Sequence, residues 1–456
     1  MTAPLHDLLT FDRDLARASD ALARWRVALA LDPEKNADIE PLAPFRHTAG
    51  QKVYDALREQ PLDEPLKGAL LGWVHALTDA RVVADLDVAW ARTGSAEAAR
   101  LGVGTPRMVC FFDAWRGVVG SVPRPEALAW LDALAEQGPQ MASIARQRAE
   151  RRVEVARRFA LNHPTDGLAL APPASLAQTA EALLRETDDM WRALDREARG
   201  KAGLAALPAS PVDSIGRAVA RGAPEGWPAQ LTSRWLAELF APAARGLRIE
   251  LPALPRAVGA ASFARALGAF GHALRVAGRS RAMPFALACS PAFVDAHRYA
   301  LVFANLAAKP AFQRRALGVS ARVADAQSRA LAESALFAAR TSAARYLLSD
   351  PARPPGADTF EEITFRVFGA PLPPALRGAW PPPRDDEAAR FLALATALPM
   401  EHDLVERFDV DWFLNPRATE FLRGRASGPA WEEPPASLEA VAVARALGRA
   451  FEAVLA

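Results

Sequence analysis

Residues 263–275 read FARALGAFGHALR. At 100° per residue, Phe263, Ala266, Leu267, Phe270 and Leu274 fall on one stripe, the pattern of a helix that buries one face. Gly268 and His272 stand one turn apart on the opposite side, flanked by Arg265 and Arg275. Ala, Leu and Arg are strong helix formers. The stretch therefore predicts a core-packed helix with a single histidine off its apolar face.

The helical signal extends along the whole chain. The 456 residues are 51% hydrophobic and 24% charged, a globular composition. β-branched runs are scarce, and Pro and Gly cluster between periodic segments. Periodicity predicts long helices over 5–31, 64–82, 84–101, 125–161, 174–199, 227–243, 259–277, 291–308, 310–349, 385–407 and 435–455. Shorter ones are expected near 49–59, 105–118, 211–221, 357–368 and 416–424. Pro-rich connectors fall at 206–213, 349–358, 369–386 and 432–437, and no fixed repeat is visible. LRIELP (247–252) alternates apolar and polar residues and predicts a short strand. The expected class is all-α with at most a few short strands, with helical segments over 1–245 and 246–456 forming one continuous two-lobed unit.

Charge and cysteine content narrow the function classes. Fifty-five basic residues oppose 53 acidic ones, a net charge of +2, so no global field favours nucleic acid. Only five of the basic residues are Lys, which with the abundant Ala, Pro and Leu suggests a GC-rich bacterial genome. No window of about 18 uncharged apolar residues predicts a membrane span. Cys110 and Cys289 are too few and too distant for a disulfide framework or a cysteine metal site, and are expected to be buried. Residues 1–15 lack the pattern of a signal peptide, so a cytoplasmic protein is expected. The basic run Arg146, Arg148, Arg151, Arg152, Arg157 and Arg158, interleaved with Glu150 and Glu154, is expected to form a solvated helix face.

SFARALGAFGHALR (262–275) resembles the zinc-binding signature of the thimet oligopeptidase and oligopeptidase F class of zinc metallopeptidases. In an H-E-x-x-H helix the two His, at i and i+4, reach one metal, and the Glu polarises its water. By this resemblance His272 takes the place of the second zinc-binding His, within an intact GHAL. Gly268 and Ala269 stand where the His and Glu belong. The third ligand of the class, a Glu about two dozen residues on, would fall near Asp295 to His297, in a helix opened by Ser290 and Pro291 as N-cap and N1. HDLVERFDVDWFLNPRATEFLR (402–423) is similar to the closing segment of the same class, with an NP turn before a last core helix. The resemblance covers roughly 250–425 and implies a helical two-lobed scaffold with a peptide channel.

The departures bear on chemistry. A catalytic zinc needs three protein ligands and an open position, and Gly268 and Ala269 supply neither ligand nor base. No other H-E-x-x-H occurs among the seven histidines. The class uses a late Tyr against the tetrahedral intermediate, whereas Tyr54, Tyr299 and Tyr346 are the only tyrosines here. His272, Asp295 and His297 could converge on a metal, but Asp295 and His297 lie about 160° apart on one helix. Asp295 is expected to pair with Arg298, and His297 to be a hydrogen-bonded core histidine. No phosphate-binding loop or G-x-S-x-G elbow is present.

The expectation is a peptidase-like helical protein without zinc-dependent catalysis. Gly268, Ala269, His272, Asp295 and His297 would mark a vestigial site, with no metal or other cofactor. It would bind a peptide or protein partner, regulating or pairing with an active peptidase, and would engage neither nucleic acid nor membrane. An all-α scaffold without peptidase ancestry, or a metal-independent enzyme around Asp295, His297, Arg298 and Tyr299, are the alternatives.

Overall fold

Helices account for 73% of the chain, as its content of Ala, Leu, Arg and Glu dictates. The computed structural model describes residues 7–102, 107–120, 123–168, 172–218, 226–252, 254, 260–430 and 439–455. Among these, twelve helices have twelve residues or more. They are α1 (Leu8–Leu31), α2 (Glu64–Val82), α3 (Ala84–Ser95), α4 (Arg124–Arg158), α5 (Pro173–Lys201) and α6 (Ala260–Gly278), followed by α7 (Val294–Leu306), α8 (Ala321–Leu348), α9 (Ala357–Phe368), α10 (Glu387–Phe408), α11 (Pro416–Ser427) and α12 (Ala440–Leu455). No helix among the described residues is long and apolar enough to cross a membrane.

Three apolar clusters organise the packing. The largest draws on α4, α5, α8, α9, α10 and α12, with Trp130, Phe360, Trp380 and Phe391 buried in it. A second surrounds α6, α7 and α11, where Phe240, Phe270 and Phe303 pack ring against ring. The third lies between α1 and α2 and takes in Ala286 and Cys289 from the turn before α7. The predicted stripe of α6 is fully inside the second cluster: Phe263, Ala266, Leu267, Phe270 and Leu274 are all buried. Each of the four large side chains contributes about 1.5–3 kcal/mol of burial.

Several boundaries differ from the sequence expectation, each for a local reason. The span 310–349 divides into Pro310–Arg315 and α8, because Gly318 sits at φ +69° and Ser320 then takes the N-cap position. The span 227–243 breaks because the Thr232 hydroxyl caps the amide of Trp235 at 3.0 Å and starts Ser233–Leu239 anew. Residues 99–101 are not helical: Ala99–Leu101 pairs antiparallel with Arg107–Val109, in register Ala99↔Val109. Ala99, Leu101 and Val109 are buried in the largest cluster, so three-residue alternation outweighed helix propensity there. Residues 103–106 lie outside the described residues, as do EEPPAS (432–437) and the ends of the spans predicted at 5–31, 105–118, 211–221, 259–277 and 435–455.

LRIELP keeps the alternation of a strand but has no ladder. Leu247, Ile249 and Leu251 are half-buried against the second cluster, while Arg248, Glu250 and Pro252 are exposed. Among the described residues, Arg248, Ile249, Glu250 and Leu251 make no backbone hydrogen bond. Among the described residues, the predicted strand is therefore a single unpaired edge. Beyond the site, Asn415 caps α11 by accepting the amide of Arg417 at 3.0 Å, with Pro416 at N1, so the NP turn is where the sequence put it.

Candidate functional site

α6 presents two different faces beyond its apolar stripe, and both are set by small residues. On one, Gly268 and Gly271 press against α7. A Cβ on Gly271 would stand 2.6 Å from the carbonyl oxygen of Tyr299 and 2.9 Å from the Cβ of Phe303. A Cβ on Gly268 would stand 3.2 Å from the carbonyl oxygen of Ala300. The two helices cross closely because these positions carry no side chain. On the other face, Ala269, His272, Ala273, Val276 and Ala277 line a cleft of about 860 Å³, whose far wall is Gly246, Leu247, Arg248, Glu250 and Pro252.

His272 and His297 come together beside this cleft, their ring centroids 5.6 Å apart. His272 is half-buried at the surface of the cleft, and its pKa is lowered to about 4. Burial is the main cause, with repulsion from His297 and Arg390 adding to it and Asp386 opposing. It is a neutral imidazole at pH 7. His297 is buried, with Nε2 3.1 Å from Oδ2 of Asp386, so Nε2 carries the proton that this carboxylate accepts. Burial alone would raise the pKa of Asp386, but the hydrogen bonds from His297 and from Arg390, at 2.8 Å, hold it well below the usual carboxylate range.

Asp295 is turned elsewhere. Its carboxylate lies 3.3 Å from Arg298 and 3.6 Å from Arg275, so the i,i+3 pair expected from sequence forms. Arg275 is itself buried and donates to the carbonyl of Ala426 at 2.9 Å, fastening α6 to the end of α11. The helix carrying Asp295 and His297 does not open at Ser290–Pro291. Those residues form a turn, closed by the amide of Phe293 on the carbonyl of Ser290, and α7 starts at Val294. Phe293 takes a left-handed φ of +53° at this start, an uncommon strain for a bulky residue, with its ring 6.4 Å from that of His272. Cys289 and Cys110 are buried as expected.

The Arg-rich part of α4 is a correction to the sequence reading. Arg148 and Arg152 are 5% and 7% exposed and do not belong to a solvated face. Arg148 donates to Asp87 at 2.7 Å and to Asp385 at 2.5 Å, and Arg152 donates to Asp79 at 2.6 Å. Arg26 of α1 also pairs with Asp385. Burial would raise the pKa of Asp385, but the attraction of Arg148, Arg26 and Arg152 outweighs it and keeps the group ionised. Asp385 and Asp386 are adjacent, so the residue that gathers the α1 and α4 arginines precedes the one that holds His297. Sequence reading missed both, because they sit at the end of a Pro-rich connector read as a turn. The available signal was the paired acid of PPPRDD immediately before α10.

Three solved structures match over most of this length. A candidate peptidase from Chlamydophila abortus superposes with a TM-score of 0.55 at 10% identity, covering 94% of this chain and 81% of its own. A candidate oligoendopeptidase F from Bacillus anthracis str. Ames gives 0.55 at 12% identity, with coverage of 93% and 85%. The oligoendopeptidase-F from Enterococcus faecium gives 0.51 at 9% identity, with 98% of both chains covered. The fold is that of oligoendopeptidase F. No protein-family model matches the chain, and no curated protein matches it.

The resemblance of 262–275 to a zinc-binding signature raises the question of zinc, and the described side chains around His272 do not fit one. His272 is present, but Gly268 offers no donor and its Cβ position is already crowded by α7. Ala269 faces the cleft without a carboxylate, and Asp295 is held by two arginines. Among the described residues, no group of three or more His, Cys, Asp or Glu is placed to hold a metal ion. Nor is a phenol at hand: Tyr299 and Tyr346 donate their hydroxyls to the carbonyls of Leu422 and Pro173, at 2.8 and 3.0 Å.

Proposed function

We propose that this chain uses an oligoendopeptidase F scaffold to bind an extended peptide segment, without zinc-dependent hydrolysis. The observation that carries the reading is the pairing of an unoccupied backbone edge with the cleft. Arg248 to Leu251 alternate in and out like a strand and lack backbone partners among the described residues, and Arg248 and Glu250 of this stretch stand in the wall facing α6. An extended peptide adding to such an edge gains main-chain hydrogen bonds, and pockets for alternate side chains select it. The cleft volume is of the size that encloses a few residues. Gly268 and Ala269, at the positions where the class carries its metal-binding and base residues, support binding without catalysis.

A second reading draws on Asp386, His297 and His272. A neutral histidine at a cleft, backed by a histidine fixed on a carboxylate, is an arrangement suited to proton transfer. One experiment separates the two. Protein purified with and without added zinc is assayed for metal content, for binding of a neutral nonapeptide by calorimetry, and for cleavage of a quenched peptide library. Peptide binding, substoichiometric zinc and no cleavage dependent on His272 are expected. Stoichiometric zinc with cleavage abolished by His272→Ala overturns the proposal. Zinc-independent turnover abolished by the same change would favour the second reading.

A further inference from the structure

The charges on the cleft do not balance. Arg248, Arg279 and Arg281 line it against one carboxylate, Glu250. Arg248 and Glu250 pair with each other at 2.8 Å, both largely in solvent, where such a pair is weak and easily exchanged. Arg279 rests over the ring of Phe285 at 5.5 Å and donates to Sγ of Cys289 at 3.3 Å, so its position is fixed. Neither Arg279 nor Arg281 is paired with a carboxylate among the described residues. His272 is neutral and adds no charge of its own. Several buried and half-buried arginines elsewhere are matched: Arg124 and Arg199 on Asp213, Arg345 on Glu387, and Arg340 and Arg366 on Asp188. Arg279 and Arg281 are exposed, and what sets them apart from other exposed arginines is their shared place in the cleft lining.

Its geometry separates a neutral floor from a cationic rim. Ala269, Ala273, Val276 and Ala277 give a smooth apolar surface along α6, and Arg279 and Arg281 follow at its C-terminal end, where the helix dipole also favours cations. Arg248 projects from the facing edge. A peptide lying along residues 248–251 would set its backbone on that edge, apolar side chains on the floor, and its alternate side chains toward the arginines.

We infer that the cleft selects peptides carrying carboxylates, as acidic side chains or as a free C-terminus, through Arg248, Arg279 and Arg281. This rests on the peptide-binding reading of the same cleft. Net charge of the whole chain gives no hint of it, because the 55 basic and 53 acidic residues nearly cancel.

The test is calorimetric titration of the full chain with three nonapeptides of one apolar framework, bearing Glu, Gln or Lys at alternate positions. Each is made with a free and an amidated C-terminus. The Glu peptide is expected to bind about tenfold tighter than the Gln peptide, with Lys weakest, the scale of two exposed ion pairs. The preference should shrink several-fold from about 50 to 300 mM salt. In Arg248→Ala/Arg281→Ala, the amidated Glu peptide should fall to within about threefold of the amidated Gln peptide. A gap between free and amidated Gln peptides as large as that between Glu and Gln assigns the selection to the C-terminal carboxylate. Equal affinities for all three, a preference for Lys, or tighter binding of a deoxythymidine octamer overturns the acidic selection. No binding of any peptide instead removes the peptide reading beneath it.

Discussion

Two arginine-rich regions of this molecule differ in how their charge is answered. Where α2, α3 and α4 meet the start of α10, Arg148 and Arg152 are buried and ringed by Asp79, Asp87 and Asp385. Just past α6, Arg279 and Arg281 stand at an open cleft with Arg248 opposite and Glu250 as the sole carboxylate among the described lining residues. A buried guanidinium demands a fixed counter-charge, because leaving it bare costs far more than its partner contributes. An exposed one makes no such demand and is left available. Similar residues thus fasten one region and equip the other.

The sharpest way to break this comparison is to remove a carboxylate from the buried set. Asp385→Asn strips charge from a group shared by Arg26, Arg148 and Arg152, and should cost roughly 3–5 kcal/mol in urea unfolding. A loss under about 1 kcal/mol would mean that the network is not a fastening.

A second test uses pH on the same region. His75, fully buried near Asp79 and Arg152, has no hydrogen-bond partner for either ring nitrogen among the described residues. Burial lowers its pKa from 6.5 to about 4, with Arg152 adding to the shift and Asp79 opposing it. Between those values the unfolded chain binds more protons than the folded one. Stability is therefore full above about pH 6.5 and falls as pH drops toward 4, by up to roughly 3 kcal/mol for this group. His75→Leu should flatten that part of the unfolding profile, and an unchanged slope would assign it to other groups.

The smallest effect belongs to the other side of the comparison. Arg248→Ala/Arg281→Ala should leave stability within about 0.5 kcal/mol, because neither side chain is buried. A larger loss in urea unfolding would show that the cleft arginines are structural after all.

The contrast also explains what sequence could convey. The stripe of α6, the caps of α11 and the Arg298–Asp295 pair were legible because each is written within four residues of chain. His297 was legible as a bonded histidine, though not the identity of its partner, which lies 89 residues away. The arginines of α4 were misread for the same reason. Their spacing to nearby Glu suits a solvated face, whereas their true partners sit at Asp79, Asp87 and Asp385. LRIELP shows the reverse limit: alternation reports which side faces the core, but a ladder needs a neighbour that local sequence cannot promise. Gly268 was legible as a missing side chain, and only the crossing of α6 and α7 shows what occupies its space and that of Gly271.

The adjacency of Asp385 and Asp386 has a mechanical consequence. Successive Cα atoms are tied at 3.8 Å, so two neighbouring carboxylates cannot drift independently. One is gripped by side chains from α1 and α4, and the other steadies the imidazole of His297. The dipeptide works as a tie rod: the placement of the histidine pair at the cleft is referenced to helices more than a hundred residues earlier in the chain.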